Sequence, residues 1–100
     1  MKIKKTYRGF ARADFTDRYG EECSIQDSSL ATEAAIWLGI NDPTPQILAK
    51  YCQEGAVGWS KVPMHPDVNI NGRMHLTQDQ VKELLPILIR FAETGTIELP

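Results

Sequence analysis

The last quarter of the chain, Met74 to Gly95, constrains the fold more than any other stretch, because it reads as a short strand running straight into one amphipathic helix. Thr77 is placed as the N-cap, since its hydroxyl can accept from a first-turn N–H that has no helical partner. Gln80 completes a capping box, and Leu76 with Val81 makes the hydrophobic staple around it. Asp79 adds a negative charge at the positive end of the helix dipole. Gly95 marks the stop, as the residue type that takes the left-handed closing position without penalty. Between these ends, Val81, Leu84, Leu85, Leu88, Ile89, Phe91 and Ala92 fall on one stripe at 3.6-residue spacing. Lys82, Glu83, Arg90 and Glu93 fall on the other side. Burying each large apolar side chain contributes roughly 1.5–3 kcal/mol, so the stripe can hold a small domain to a sheet. Ile87 lies outside it and widens the apolar arc, which fits either a helix sunk in a groove or one that also meets another chain. Pro86 removes the bond to the Lys82 carbonyl and costs about 3 kcal/mol. The stripe stays in phase across it, so the expectation is one kinked helix, not two.

One hundred residues form one domain, with a basic arm over residues 1–6 and an irregular middle over residues 41–72. No run approaches the length of a membrane span and no signal peptide opens the chain. Cys23 and Cys52 stand far apart and make neither a disulfide framework nor a zinc set. The reading is a cytoplasmic chain with reduced thiols. The net charge of −2 is unevenly placed: residues 1–12 hold Lys2, Lys4, Lys5, Arg8 and Arg12 with no acid, leaving 13 acids against 6 bases beyond. A basic terminus on an acidic body can touch phosphate. Such a stretch is more often a solvated terminus, or an edge strand whose lysines discourage pairing. No basic patch interleaved with aromatics follows, which argues against nucleic acid as the partner.

Tyr7 to Thr16 reads as a strand, and Asp17 to Gly20 as a type I turn with a glycine bulge. Glu22 to Gln26 returns as the second strand of that hairpin, alternating polar and apolar. Ala34 to Ile40 is apolar on both parities, which suggests a central strand covered on both sides, with Gly39 at a bulge or a close backbone approach. Pro43 and Pro45 end it. Thr44 caps a short helix from Gln46 to Gln53. Val57 to Val62 and Val68 to Ile70 are extended, Asn71 with Gly72 turns or bulges the chain, and Arg73 to Leu76 is the last strand. The fold class is therefore α+β, a small antiparallel sheet with the C-terminal helix packed on one face.

Little in the sequence carries catalysis. No His or Cys pair has metal-ligand spacing, and there is no nucleophile elbow, phosphate loop or dinucleotide fingerprint. A nucleophilic pair of Cys23 with His75 would need spatial contact and an orienting third group. The expectation is a protein that is not an enzyme and has no metal or cofactor. One polar set does stand out. If the strands share a sheet, alternation places Ser24, Gln26, Trp37, Arg73 and His75 on the face away from the helix, with Ser28 and Ser29 at its edge. Arginine, histidine, glutamine and an aromatic plane supply the charge, hydrogen bonds and stacking that a phosphate-and-base ligand needs. The plainer alternative is a half-wet sheet face with Trp37 packed at a dimer seam. A homodimer is expected in either case, because 100 residues make a thin core for Trp37, Trp59 and Ile87.

Phe15 to Thr32, Ile36 to Gly39, Arg73 to Thr77 and Leu84 to Pro86 resemble an uncharacterised group of small accessory proteins encoded by phages and prophages. The likeness comes in separate blocks along the chain and leaves out Pro45 to Asn71. It implies a phage accessory protein in bacterial cytoplasm and supplies no catalytic residues. Three functions follow as expectations: capture of a small nucleotide-like ligand, such as a cyclic nucleotide-like immune signal; blockade of a host defence or replication protein by direct contact; and, with less behind it, nucleic-acid binding through residues 1–12.

Overall fold

The structure, a computed structural model, describes residues 1–99. Its main body is a five-stranded antiparallel sheet in the order β1-β2-β3-β4-β7, built from Ile3–Lys5 (β1), Ala11–Thr16 (β2), Glu22–Asp27 (β3), Ala35–Ile40 (β4) and Arg73–Thr77 (β7). A separate hairpin of Gln46–Leu48 (β5) and Trp59–Lys61 (β6) lies between β4 and β7 in sequence. One helix, Gln78–Thr94 (α1), closes the chain. The α+β class, the single C-terminal helix and the antiparallel sheet are as the sequence implies.

The N-terminal meander rests on two turns of one design. In Asp17 to Gly20, the Gly20 amide donates to the Asp17 carbonyl, and the Asp17 carboxylate accepts from the Tyr19 and Glu21 amides at 2.8 and 3.0 Å. The φ of Gly20 is 82°, the left-handed geometry of a glycine bulge. Thr6 to Gly9 repeats it: the Gly9 amide donates to the Thr6 carbonyl, and the Thr6 hydroxyl accepts from the Phe10 amide at 3.0 Å. That first turn corrects two expectations. The strand expected from Tyr7 begins only at Ala11, and residues 3–5 of the supposed basic arm are the edge strand β1, paired with β2.

Register divides the sheet. Arg12 pairs with Gln26, Gln26 with Trp37 and Trp37 with His75, so these four share one face. Ala13, Ile25, Leu38 and Met74 are aligned in the same way on the other, together with Phe15, Cys23, Ile36, Ile40 and Leu76. One face is therefore polar and the other apolar. The core is thin: Ala13, Cys23 and Ala49 are its buried hydrophobic residues. β4 is interior in the sheet, between β3 and the edge strand β7, but only half-buried throughout, which corrects the expectation of a central strand with both its sides covered. Gly39 marks a close backbone approach, because a Cβ there would collide with the Gly72 carbonyl oxygen, itself the acceptor for the Ile40 amide at 3.0 Å.

The helix begins as the sequence predicts. Thr77 accepts from the Gln80 amide at 3.2 Å, and the Gln80 side chain accepts from the Thr77 amide at 2.9 Å. Gly95 closes it at φ 80°. The helix runs through Pro86 as one element. What differs is its docking. Val81 and Leu85 in its first turns approach Ile36 and Leu76 of the apolar face, but no residue of α1 is buried. The reason is local: β7 ends at the residue that caps the helix, so no linker lets α1 turn back over its own sheet. The radius of gyration is accordingly 17.7 Å, against about 13 Å for a compact chain of this length.

The middle segment holds more order than its composition suggests. The helix expected from Gln46 to Gln53 is instead strand β5 followed by a single 3-10 turn, Ala49–Tyr51. β6 fulfils the extended stretch around Trp59, and pairs with β5. Val68 to Ile70 forms no strand.

Two glycines separate backbone strain from steric collision. Gly20→Ala places a Cβ in open space at positive φ and should cost about 1–2 kcal/mol. Gly39→Val adds a collision with the backbone of Gly72 and should cost about 3 kcal/mol or more. Urea midpoints of the two variants check the order.

Candidate functional site

The polar face gathers most of the residues singled out in the sequence. Trp37 and His75, paired across β4 and β7, lie with ring centroids 3.9 Å apart and planes 5° from parallel. The Arg73 guanidinium sits 5.5 Å from the centre of Trp37. Gln26 Oε1 accepts from Arg12 Nη1 at 3.3 Å and stands 3.5 Å from Arg73 Nη1. Two guanidinium groups thus converge on one neutral oxygen. Arg12 is also countered by Asp14 at 2.9 Å, whereas Arg73 has no carboxylate partner among the described residues.

These groups line a groove of about 530 Å³ whose wall is Thr6, Tyr7, Arg8, Phe10, Arg12, Gln26, Ser29, Trp37 and Arg73. The Thr6 to Gly9 turn supplies one side of it, with the Arg8 guanidinium 5.4 Å from the centre of the Phe10 ring. Arg8, Arg12 and Arg73 make this a cationic hollow beside an aromatic surface, suited to a small anion with a planar part.

The predicted residues divide by position. Gln26, Ser29, Trp37 and Arg73 line the groove. His75 and Ser28 stand beside it: His75 Nε2 and Ser28 Oγ are 2.7 Å apart, and Ser28 Oγ also accepts from the Leu30 amide at 3.1 Å. Ser24 shares the face but is 0% exposed, and its hydroxyl donates to Asn41 Oδ1 at 2.5 Å. It supports the sheet and cannot reach a ligand, which corrects its place in the set. Sequence reasoning missed Arg8, Arg12, Tyr7 and Phe10. The signal was present, since Thr6 to Gly9 has the same spacing of capping residue and glycine as Asp17 to Gly20.

The Cys23–His75 pair is ruled out by register: Cys23 lies on the apolar face and His75 on the polar one. Burial pushes the Cys23 thiol above its ordinary value, and the charges of Asp17 and Glu21 raise it further. That is the reverse of an activated nucleophile. Among the described residues, no three His, Cys, Asp or Glu side chains cluster to hold a metal ion, and no helix is long and apolar enough to cross a membrane. No family model, curated protein or solved structure matches the chain.

The two thiols should differ in reactivity. At pH 8 the exposed Cys52 should be alkylated by iodoacetamide at least about tenfold faster than buried Cys23, whose raised pKa holds it as the thiol. Mass spectrometry of each peptide follows the two rates.

Proposed function

We propose that this protein is a non-catalytic binder that captures a small nucleotide-like anion in the groove on its polar sheet face. The observation that carries the reading is the convergence of Arg12 and Arg73 on Gln26 beside the stacked Trp37 and His75. Like charges held together by a neutral carbonyl repel each other, and a bound phosphate relieves that repulsion while accepting charge-assisted hydrogen bonds. The aromatic pair offers a base a planar, apolar surface. A groove of about 530 Å³ falls within the usual range for small-molecule sites, roughly 300–1,000 Å³. The likeness to phage accessory proteins supports placing this capture in bacterial cytoplasm, where withdrawing a nucleotide signal would counter host defence.

The test is thermal melting against a panel of mono-, di- and cyclic nucleotides, with a short single-stranded oligonucleotide alongside. A ligand present at a hundredfold excess over its Kd stabilises the fold by about 2.7 kcal/mol, which raises Tm by at least about 5 °C in a chain of this size. Arg73→Ala and Trp37→Ala should each abolish that shift while keeping the far-UV spectrum of the wild type. Lys61→Ala, on the separate β5–β6 hairpin, should retain the shift. A wild-type protein that responds to no nucleotide, or only to the oligonucleotide, would overturn the reading.

A further inference from the structure

The apolar half of this molecule is unfinished in one chain. The accessible surface is 8523 Å², against about 5,700 Å² for a compact monomer of this mass. The excess of about 2,800 Å² per chain, to which the separate β5–β6 hairpin also contributes, leaves room for an interface of the size that obligate homodimers use. Two surfaces contribute. One is the stripe of α1, where Leu84 is 37% and Leu88 and Phe91 are each 56% exposed. The other is the apolar sheet face around Ile25, Leu38 and Met74.

A single chain cannot bring these surfaces together. Thr77 is both the last residue of β7 and the N-cap of α1, and Gln78 is already helical. Only the first turns of the helix meet the sheet, leaving a gap of about 280 Å³ between Val81, Leu85 and the strand residues Ile36 and Leu76.

We infer that a second copy of this chain covers both surfaces by reciprocal exchange, the helix of each protomer lying across the apolar sheet face of the other about a twofold axis. The dimensions agree. A helix of 17 residues is about 26 Å long, and five strands span about 19 Å from first to last, so one helix crosses the whole face. The chemistry agrees as well. Lys82, Glu83, Arg90 and Glu93 lie on the side of the helix away from the stripe, and the charges on the sheet face, Lys5 and Asp27, are exposed at the ends of β1 and β3, so the exchange keeps charge at its rim. Each chain offers one apolar helix and one open apolar face, so two copies satisfy each other and the assembly closes. A foreign helix or a foreign sheet would cover one surface and leave its counterpart open. The arginine-lined groove is on the opposite side of the sheet and stays accessible, so this inference stands apart from the ligand reading.

Sedimentation equilibrium of the full chain at micromolar concentration should give twice the 11.2 kDa of one protomer. Leu88→Glu, on the helix stripe, and Leu38→Lys, on the sheet face, should each lose the dimer. Mixing the two variants should restore the doubled mass, because one of the two reciprocal contacts is then wild-type and the other sets Glu against Lys. Glu83→Lys, on the polar side of the helix, should leave the mass unchanged. Where either variant loses its fold alone, recovery of the helical circular dichroism signal in the mixture reads the same exchange. A wild-type monomer that melts cooperatively, a dimer that survives Leu88→Glu or Leu38→Lys, or a mixture that stays monomeric would each overturn the inference.

Discussion

The antiparallel register that sets Gln26 against Trp37, and Trp37 against His75, fixes the character of both sides of this protein. Side chains alternate along a strand, so one pairing assigns every neighbour to a face. Arg12, Arg73 and the aromatic pair fall on one side, and Ile25, Leu38 and Met74 fall on the other. A slip of one residue between β3 and β4 would turn Trp37 into the apolar layer and bring Leu38 out among the arginines. The pairing of β3 with β4 is held against such a slip where the Asn41 amide, just past β4, donates to the Glu22 carbonyl at 2.9 Å. The tight Asp17 turn ties β3 to β2. At Gly39, only a residue without a Cβ lets β4 lie against the Gly72 carbonyl. The buried Ser24 hydroxyl, bonded to Asn41 just beyond the end of β4, adds a second tie between β3 and the chain that leaves β4.

How much of this was legible in the sequence follows from which signals are local. The capping box at Thr77, the glycine stop at Gly95 and the Asp17 turn each depend on side chains within a few residues of the backbone they satisfy, and each is present as read. The shared face of Gln26, Trp37, Arg73 and His75 was also readable, because alternation needs only strand assignment and not tertiary packing. The failures have physical causes. Gln46 to Leu48 carries helix-compatible residues after a capping threonine and a proline, yet it pairs with Trp59 to Lys61, a partner that no local propensity reveals. Ala34 to Ile40 is apolar on both parities because Trp37 belongs to the polar face, not because both faces are covered. The first turn was hidden by its capping residue: Thr6 plays the part of Asp17 with a hydroxyl, a weaker form of the same local bond.

The junction between β7 and α1 explains why a strongly amphipathic helix leaves its stripe open. Docking a helix on the sheet it follows normally requires a connection of several residues to reverse the chain. Here the capping box stabilises the helix from the first residue after the strand, so the local interactions that make α1 a good helix also prevent the turn that would fold it back. Local and tertiary preferences conflict within one chain, and minimally frustrated sequences resolve such conflicts. In the proposed dimer, a second copy would resolve this one without changing either element.

The distribution of charge bears on what kind of anion the polar face would accept. Arg8, Arg12 and Arg73 make the groove cationic, but beyond residue 12 the chain carries more than two acids for each base. Register sets Lys4 beside Arg12 on the same face, and past these bases a long polyanion would gain nothing from a phosphate that no lysine or arginine neutralises. A ligand with one or a few phosphates ends before it reaches the acids and keeps the full benefit of the guanidinium groups. Screening sharpens the difference, since at physiological salt charges beyond about 8 Å are largely masked. On the proposed ligand reading, the groove would then act on the near phosphates alone, and Trp37 in its wall would distinguish a base-bearing anion from inorganic phosphate.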